Sequence, residues 1–308
     1  MKKIELRDWP EIFRGCVRPG QRMSDSLLDF FNTAPKTFLR ARCLSGVRLQ
    51  FATDSSELEW TLEFGSPVRK IYTTDFLING ELRTVDGPGP HRLELPPGEK
   101  DIVIHLPHLV EILNAELKLD DDATFKTMPE TRRRIIFCGD SIMQGMTTTS
   151  PLRATAARTA EMLNMDFINT SVGGACMTPN HVRLSAELNG DFLVVALGVN
   201  DAISRTEMGQ FRRNAEDALK ALAEFPGDKL LVLPIPRVAS PEPDLKPYRE
   251  SIRTAASSFP SIPVLDGNDI FPAKAELYCD GTHPNDAGAK IYSDILYQTI
   301  KQSKECGK

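Results

Sequence analysis

The stretch IIFCGDSIMQG, residues 135–145, decides how this chain folds. Four apolar positions, Ile135 to Cys138, run into Gly139-Asp140-Ser141, the pattern of a buried strand ending in a sharp turn. Proteins of the α/β class place their chemistry at such turns, outside the carboxyl ends of the strands. Ser141 is therefore either a nucleophile or a polar residue filling a turn, and the rest of the chain has to discriminate.

Toward the C-terminus, apolar strand candidates at 134–138, 166–170, 192–197, 229–234 and 262–265 alternate with helical periodicity near 151–164, 207–225 and 244–258. A last helix is expected from Asp286 to about Lys301, with Asn285 as its N-cap. Nearly continuous apolar strands alternating with helices describe a parallel sheet covered on both faces. Toward the N-terminus the period changes. From about Cys43 to Phe125 it is two, most cleanly in Leu58, Trp60, Leu62 and Phe64, and Asn79-Gly80 is a strong hairpin signal. This half predicts an antiparallel β-sandwich. The acidic, Pro-containing segment Asp120 to Glu130 marks the boundary, so the chain divides into a sandwich over 1–130 and an α/β domain over 131–308.

The chain has 308 residues, 41% hydrophobic and 26% charged, as in a globular protein with a sizeable core. A net charge of −5 argues against a binder of nucleic-acid backbones, and Arg132-Arg133-Arg134 reads as a solvated strand entry. No segment approaches the ~20 apolar residues of a membrane span. The N-terminal residues meet Glu5, Arg7 and Asp8 before any apolar stretch, unlike a secretory signal. Six scattered cysteines without a CxxC suggest reduced thiols and a cytoplasmic location. Neither a metal nor an organic cofactor is expected, nor a nucleic-acid or membrane partner; self-association is left open.

Four blocks in the second half each lie where a strand gives way to a loop: Gly139-Asp140-Ser141, Asn169 to Gly174, Gly198-Val199-Asn200-Asp201, and Asp280 to Asn285. Loops at the carboxyl ends of neighbouring strands converge on one crevice. Acyl transfer by serine needs a base, a group that orients the base, and donors for the oxyanion. His283 is the candidate base, because Asp280, three residues earlier, is within reach of one ring nitrogen. The candidate oxyanion donors are the Ser141 and Gly174 backbone N–H groups and the Asn200 amide. Each block alone is ordinary turn or cap chemistry.

Their joint order and strand-end context resemble the GDSL, or SGNH, hydrolase superfamily, named for the Ser, Gly, Asn and His of four such blocks. The chain also resembles members with an N-terminal β-sandwich, among them esterases and an acyltransferase. The resemblance implies Ser141 as nucleophile, Gly174 and Asn200 as oxyanion donors, and Asp280 with His283 completing a triad. It further implies a flavodoxin-like sheet in the order 2-1-3-4-5, and no cofactor. Met143 stands where a small hydroxyl residue commonly follows Gly-Asp-Ser-Ile, which makes the floor beside the serine more apolar. The doublet Gly173-Gly174 leaves the donor uncertain by one residue, with Gly174 expected.

The resulting expectation is a serine esterase acting on small acyl esters, acetyl esters of sugars or polyols first among them. The alternatives are an acyltransferase using the same acyl-serine intermediate, and a glycan-binding protein with a silent hydrolase half. Among other candidates, His105 reads as a satisfied strand residue, His181 as a pocket-rim or surface residue, and Asp201 as a turn or cap residue. Trp60 reads as buried. Cys138 and Cys279 read as buried small hydrophobes, the alternative being a pair close enough to oxidise. The loop 145–150 either lines the substrate entrance or is an exposed connection. The Pro-rich excursion from Leu233 to Pro247 is expected to form a pocket rim.

Overall fold

A computed structural model describes residues 1–239 and 244–306, the side chains of 303–306 excepted. The first part carries β1 (Lys2–Ile4), β2 (Phe13–Arg14), β3 (Arg48–Thr53), β4 (Glu57–Pro67), β5 (Thr73–Ile78), β6 (Glu81–Asp86), β7 (His91–Glu94), β8 (Lys100–His105), β9 (Val110–Leu119) and β10 (Phe125–Thr127). They form two antiparallel sheets, β1-β9-β4-β7 and β10-β3-β8-β5-β6, with β2 paired to β3. Leu58, Trp60 and Leu62 of β4 point into the space between the sheets with Phe51, Phe76 and Ile104, as their period of two requires. The β5–β6 hairpin turns on Asn79 and Gly80, at φ 49° and 83°. Two consecutive positive φ values suit the right-handed twist of the flanking strands.

Between β2 and β3 stand two short helices, α1 (Asp25–Phe31) and α2 (Pro35–Arg42). Ser24 caps α1 by accepting from the Leu27 N–H at 3.3 Å, and Pro35 opens α2. Although they lie within 1–130, Met23, Leu27, Phe31 and Ala41 pack into the core of the parallel sheet, beside Val172, Met177 and Val182.

That sheet consists of β11 (Arg134–Gly139), β12 (Asp166–Asn169), β13 (Phe192–Ala196), β14 (Asp228–Val232) and β15 (Val264–Leu265). Its order is β12-β11-β13-β14-β15, all parallel, the 2-1-3-4-5 order expected. Alternate residues divide between its faces. Ile136, Cys138, Leu193, Val195 and Leu231 face α5 (Pro179–Ala186), α7 (Met208–Glu224) and α8 (Lys246–Ala256). Ile135, Phe137, Phe192, Val194 and Leu230 face α4 (Thr155–Met162) and α10 (Asp286–Cys306). Helix α7 buries Phe211, Ala215, Ala218, Leu219 and Leu222, one stripe at helical spacing. Three shorter helices, α3 (Ser141–Gln144), α6 (Val199–Ile203) and α9 (Gly267–Ile270), follow strand ends.

A buried ionic cluster ties the halves together. Arg48 of β3 donates to Asp166 Oδ1 at 2.6 Å, Arg134 donates to Asp166 Oδ2 at 2.6 Å, and both Arg48 and Asp166 have no exposed side-chain surface. The Arg48 guanidinium also lies over the Phe167 ring, 4.6 Å from its centroid. Removing either partner would strand a charge away from water, which makes this contact a strong constraint on how the two halves sit.

Candidate active site

Ser141 is the first residue of α3, where helix N–H groups lack intrahelical acceptors. Asp140 caps this helix by accepting from the Ile142 N–H at 2.9 Å, so the neighbouring Ser141 N–H stays available. Burial pushes the Asp140 carboxyl up to about 7, with the nearby Asp201 carboxylate adding to the shift. The helix is cut short at Gly145, whose φ of 82° and whose approach to Ala154, 2.7 Å from where a Cβ would stand, both favour glycine.

Ser141 and the block Asp280–Asn285 meet. His283 Nε2 lies 2.7 Å from Ser141 Oγ, and His283 Nδ1 lies 2.8 Å from Asp280 Oδ2. Asp280 Oδ1 also accepts from the His283 backbone N–H at 2.9 Å, which closes the turn around the ring. Burial alone would raise the Asp280 carboxyl; the backbone and ring hydrogen bonds from His283 outweigh it and hold the group below its ordinary value. With Nδ1–H donated to the carboxylate, Nε2 faces the serine as an acceptor, the tautomer a general base requires.

The second and third blocks border the same cleft, a cavity of about 520 Å³ lined by Ser141, Gly173, Gly174, Asn200 and His283 among others. The Gly173 N–H donates to Gln144 Oε1 at 2.7 Å, whereas the Gly174 N–H has no acceptor among the described residues. Gly173 is thus committed to holding the loop, and Gly174 is the residue of the doublet with a donor to spare. Asn200 Nδ2 donates to Ala175 O at 2.9 Å with one hydrogen, leaving the other for a ligand.

Several residues here were not visible in the sequence. Gln144, fully buried, also donates through Nε2 to Arg40 O at 2.8 Å, so it joins the helix that Ser141 opens to the Gly173 loop and to α2. Arg22, also buried, donates to Asn169 O and Ser171 O, and to Arg40 O at 2.9 Å. Burial pulls its guanidinium down to about 10. The rest of the cleft wall comes from α2 (Lys36, Leu39, Arg40) and from the sandwich (Pro67, Val68, Arg69). Nothing in the N-terminal pattern announces this, because these residues become neighbours of Ser141 only through the packing of α2 and the end of β4.

Three expectations are corrected, and one choice between alternatives is decided. His181 is neither on the rim nor on the surface: it is fully buried, with Nε2 3.0 Å from Thr170 O, and burial lowers it to about 4. His105 is buried in its strand but not satisfied, because Nε2 has no hydrogen-bond partner and lies 3.9 Å from Glu161. Cys279 is exposed, with Sγ 3.8 Å from Thr147 O, while Cys138 is sealed in the core and its thiol is pushed up to about 12 by burial. The loop 145–150 is not an exposed connection. Met146 reaches the cleft, Thr147 donates to Pro284 O at 2.8 Å, and Thr149 accepts from Thr73 of the sandwich at 2.9 Å.

Asp201 accepts from the Met177 N–H at 2.8 Å, and Trp60 is fully buried. Of the Pro-rich excursion, 240–243 fall outside the described residues, and the part that is described does not line the large cleft. Among the described residues no group of three or more His, Cys, Asp or Glu is placed to hold a metal ion, and no helix is long and apolar enough to cross a membrane.

Comparison with solved structures extends over nearly the whole chain. A salicylyl-acyltransferase, SsfX3, from a tetracycline biosynthetic pathway superposes with a TM-score of 0.78 at 23% identity, covering 95% of this chain and 94% of its own. A putative GDSL-like lipase from Bacteroides ovatus gives 0.79 at 17% identity, covering 95% and 96%. A family two carbohydrate esterase from Clostridium thermocellum, in complex with cellohexaose, gives 0.66 at 15% identity, covering 85% and 93%. At these identities the likeness establishes the shared fold, sandwich and parallel sheet together. No curated protein sequence matches the chain. The sequence pattern of the GDSL-like lipase/acylhydrolase family, however, matches residues 137–291, half of the chain and all four blocks around the cleft, and the chain belongs to that family.

Proposed function

We propose that the protein is a serine esterase acting on small acyl esters through an acyl-Ser141 intermediate. The observation that carries this reading is the continuous relay from Ser141 Oγ to His283 Nε2, at 2.7 Å, and from His283 Nδ1 to Asp280, at 2.8 Å. Ser141 Oγ attacks the ester carbonyl carbon as its proton passes to His283 Nε2. The Asp280 carboxylate stabilises the imidazolium, and the carbonyl π electrons move onto the oxyanion. The Ser141 and Gly174 N–H groups and the Asn200 amide are the donors for that charge, each worth ~2.7–4 kcal/mol of barrier in comparable sites. Collapse expels the alkoxide, which takes the proton from His283. A water deprotonated by the same nitrogen then hydrolyses the acyl-serine.

The cleft volume of about 520 Å³ suits a small or sugar-sized ester. Structural neighbours that are carbohydrate esterases, one of them an acetyl xylan esterase from Butyrivibrio proteoclasticus, favour acetylated carbohydrates as the first substrates to try. The acyltransferase among the neighbours favours a second reading, in which an alcohol instead of water resolves the acyl-serine. Turnover of p-nitrophenyl esters from acetate to octanoate, by wild type and Ser141→Ala together, tests the proposal. Activity steepest at acetate and lost in the variant is expected; activity retained by Ser141→Ala overturns it. An added alcohol that captures most of the acyl group would assign the transferase reading.

A further inference from the structure

The charges around this cleft are one-sided. The chain as a whole carries −5, yet the charged side chains lining the cleft are Lys36, Arg40 and Arg69, with no carboxylate among them. Lys36 is exposed and has no hydrogen-bond or ion-pair partner among the described residues. Arg40 uses one of its five donors, on Gly173 O at 2.8 Å, and no carboxylate pairs with it. Arg69 has only a loose, exposed pairing at 3.8 Å with Asp280. Arg40 is also close to the chemistry. A Cβ at Gly173 would stand 3.2 Å from Arg40 Cδ and 3.4 Å from Ser141 Cβ.

Like charges held together without a counter-charge cost free energy unless a ligand supplies the opposite sign. Arg40 and Arg69 both line the cleft; burial lowers the Arg40 pKa and the positive charge of Arg69 lowers it further. Arg42, two residues after Arg40 on α2, is by contrast paired with Glu111 at 2.6 Å.

We infer that the ester this cleft accepts carries an anionic group, a carboxylate or phosphate, seated between Arg40 and Lys36 beside the scissile bond. The inference rests on Ser141 as the reacting residue. The anion belongs either to the acyl group or to the alcohol, and matched ester pairs separate the two sources. For the alcohol side the pair is p-acetoxybenzoate and its methyl ester; for the acyl side it is mono-p-nitrophenyl glutarate and its methyl ester. The readout is the ratio of kcat/KM, anionic over neutral, for wild type, Lys36→Gln, Arg40→Gln and the charge-keeping Arg40→Lys. Binding of each pair to Ser141→Ala reports the same preference without turnover.

In at least one pair the anionic ester is preferred about tenfold or more, as for a charge-assisted hydrogen bond. Lys36→Gln lowers that ratio about two- to fivefold, in keeping with an exposed charge. Arg40→Gln brings it near unity, Arg40→Lys restores part of it, and high salt shrinks it in wild type. Ratios at or below one in both pairs, by turnover and by binding, overturn the inference while leaving the esterase standing. A preference that survives Lys36→Gln and Arg40→Gln overturns it as well. Absence of turnover with the binding preference intact would sink the esterase reading and leave the anion site in place.

Discussion

Gln144 ties the Gly173-Gly174 loop to the helix that Ser141 opens, and its replacement by Met gives a quantitative test of the proposed oxyanion site. Met fills a similar volume, so the change leaves no large cavity. It removes the acceptor for the buried Gly173 N–H, held at 2.7 Å, and the donor to Arg40 O, held at 2.8 Å. Arg40 O keeps a bond from Arg22 at 2.9 Å, so the uncompensated loss is the Gly173 N–H. A stranded buried donor costs about 1–3 kcal/mol, which should appear as a drop of several degrees in Tm. Catalysis should suffer more than stability. Once the loop can turn its Gly173 N–H elsewhere, Gly174 is no longer fixed, and losing one oxyanion donor costs up to 10²–10³ in kcat.

The assay is urea unfolding with p-nitrophenyl acetate kinetics on the same preparations, and kcat should fall about tenfold to a hundredfold with KM little altered. Gln144→Glu keeps the Gly173 acceptor but turns an oxygen toward Arg40 O, so its activity relative to wild type at the same pH should recover as pH is lowered and the carboxyl protonates. Unfolding within about 0.5 kcal/mol of wild type together with an unchanged kcat would refute this account of the loop.

Other perturbations probe the scaffold. Asp166→Ala should cost about 3–5 kcal/mol, because it leaves Arg48 buried and unpaired between the halves, whereas a combined Asp166→Leu, Arg48→Met change should recover much of that by urea titration. Asp140→Asn keeps a capping oxygen but removes a titration. In the fold the Asp140 carboxyl sits near 7, above its ordinary value, so the protonated form is favoured and wild-type stability should fall, relative to the variant, as pH rises from about 4 to 7. A wild-type-minus-variant difference flat across that range contradicts the buried placement. Cys138 should not react with a bulky aromatic disulfide in the native state, since it is fully buried and its thiol is raised to about 12. Labelling of Cys138 by peptide mapping under native conditions would argue against the core packing.

The parallel sheet was legible because its strands are apolar on both faces; β11 buries Ile135 through Gly139 without a break. The sandwich was legible through its period of two and the turn at Asn79-Gly80. The helices α1 and α2 were not, since seven and eight residues give little periodicity and their partners are in another part of the chain. That omission hid one whole wall of the cleft. That Ser141, His283 and Asp280 converge was legible because a serine, a histidine and an aspartate stand at strand-end loops, and the sheet brings those loops together. Gln144 was missed although it lies three residues after Ser141. A glutamine at the end of a short helical turn carries no chemical signal until its partner loop is in place. His181 was misplaced for a related reason: Pro179-Asn180 marks a helix start, but which face of that helix is buried follows from Phe31 and the covering helices.

The central claim is that the acyl group passes through Ser141. Mass analysis of wild-type protein quenched during turnover of p-nitrophenyl acetate, followed by peptide mapping, tests it most directly. One acetyl group on Ser141, absent from Ser141→Ala and more persistent in His283→Ala wherever that variant acylates, is the result the account predicts. Steady turnover with Ser141 unmodified at every quench time, or with the acetyl group on another residue, would contradict it.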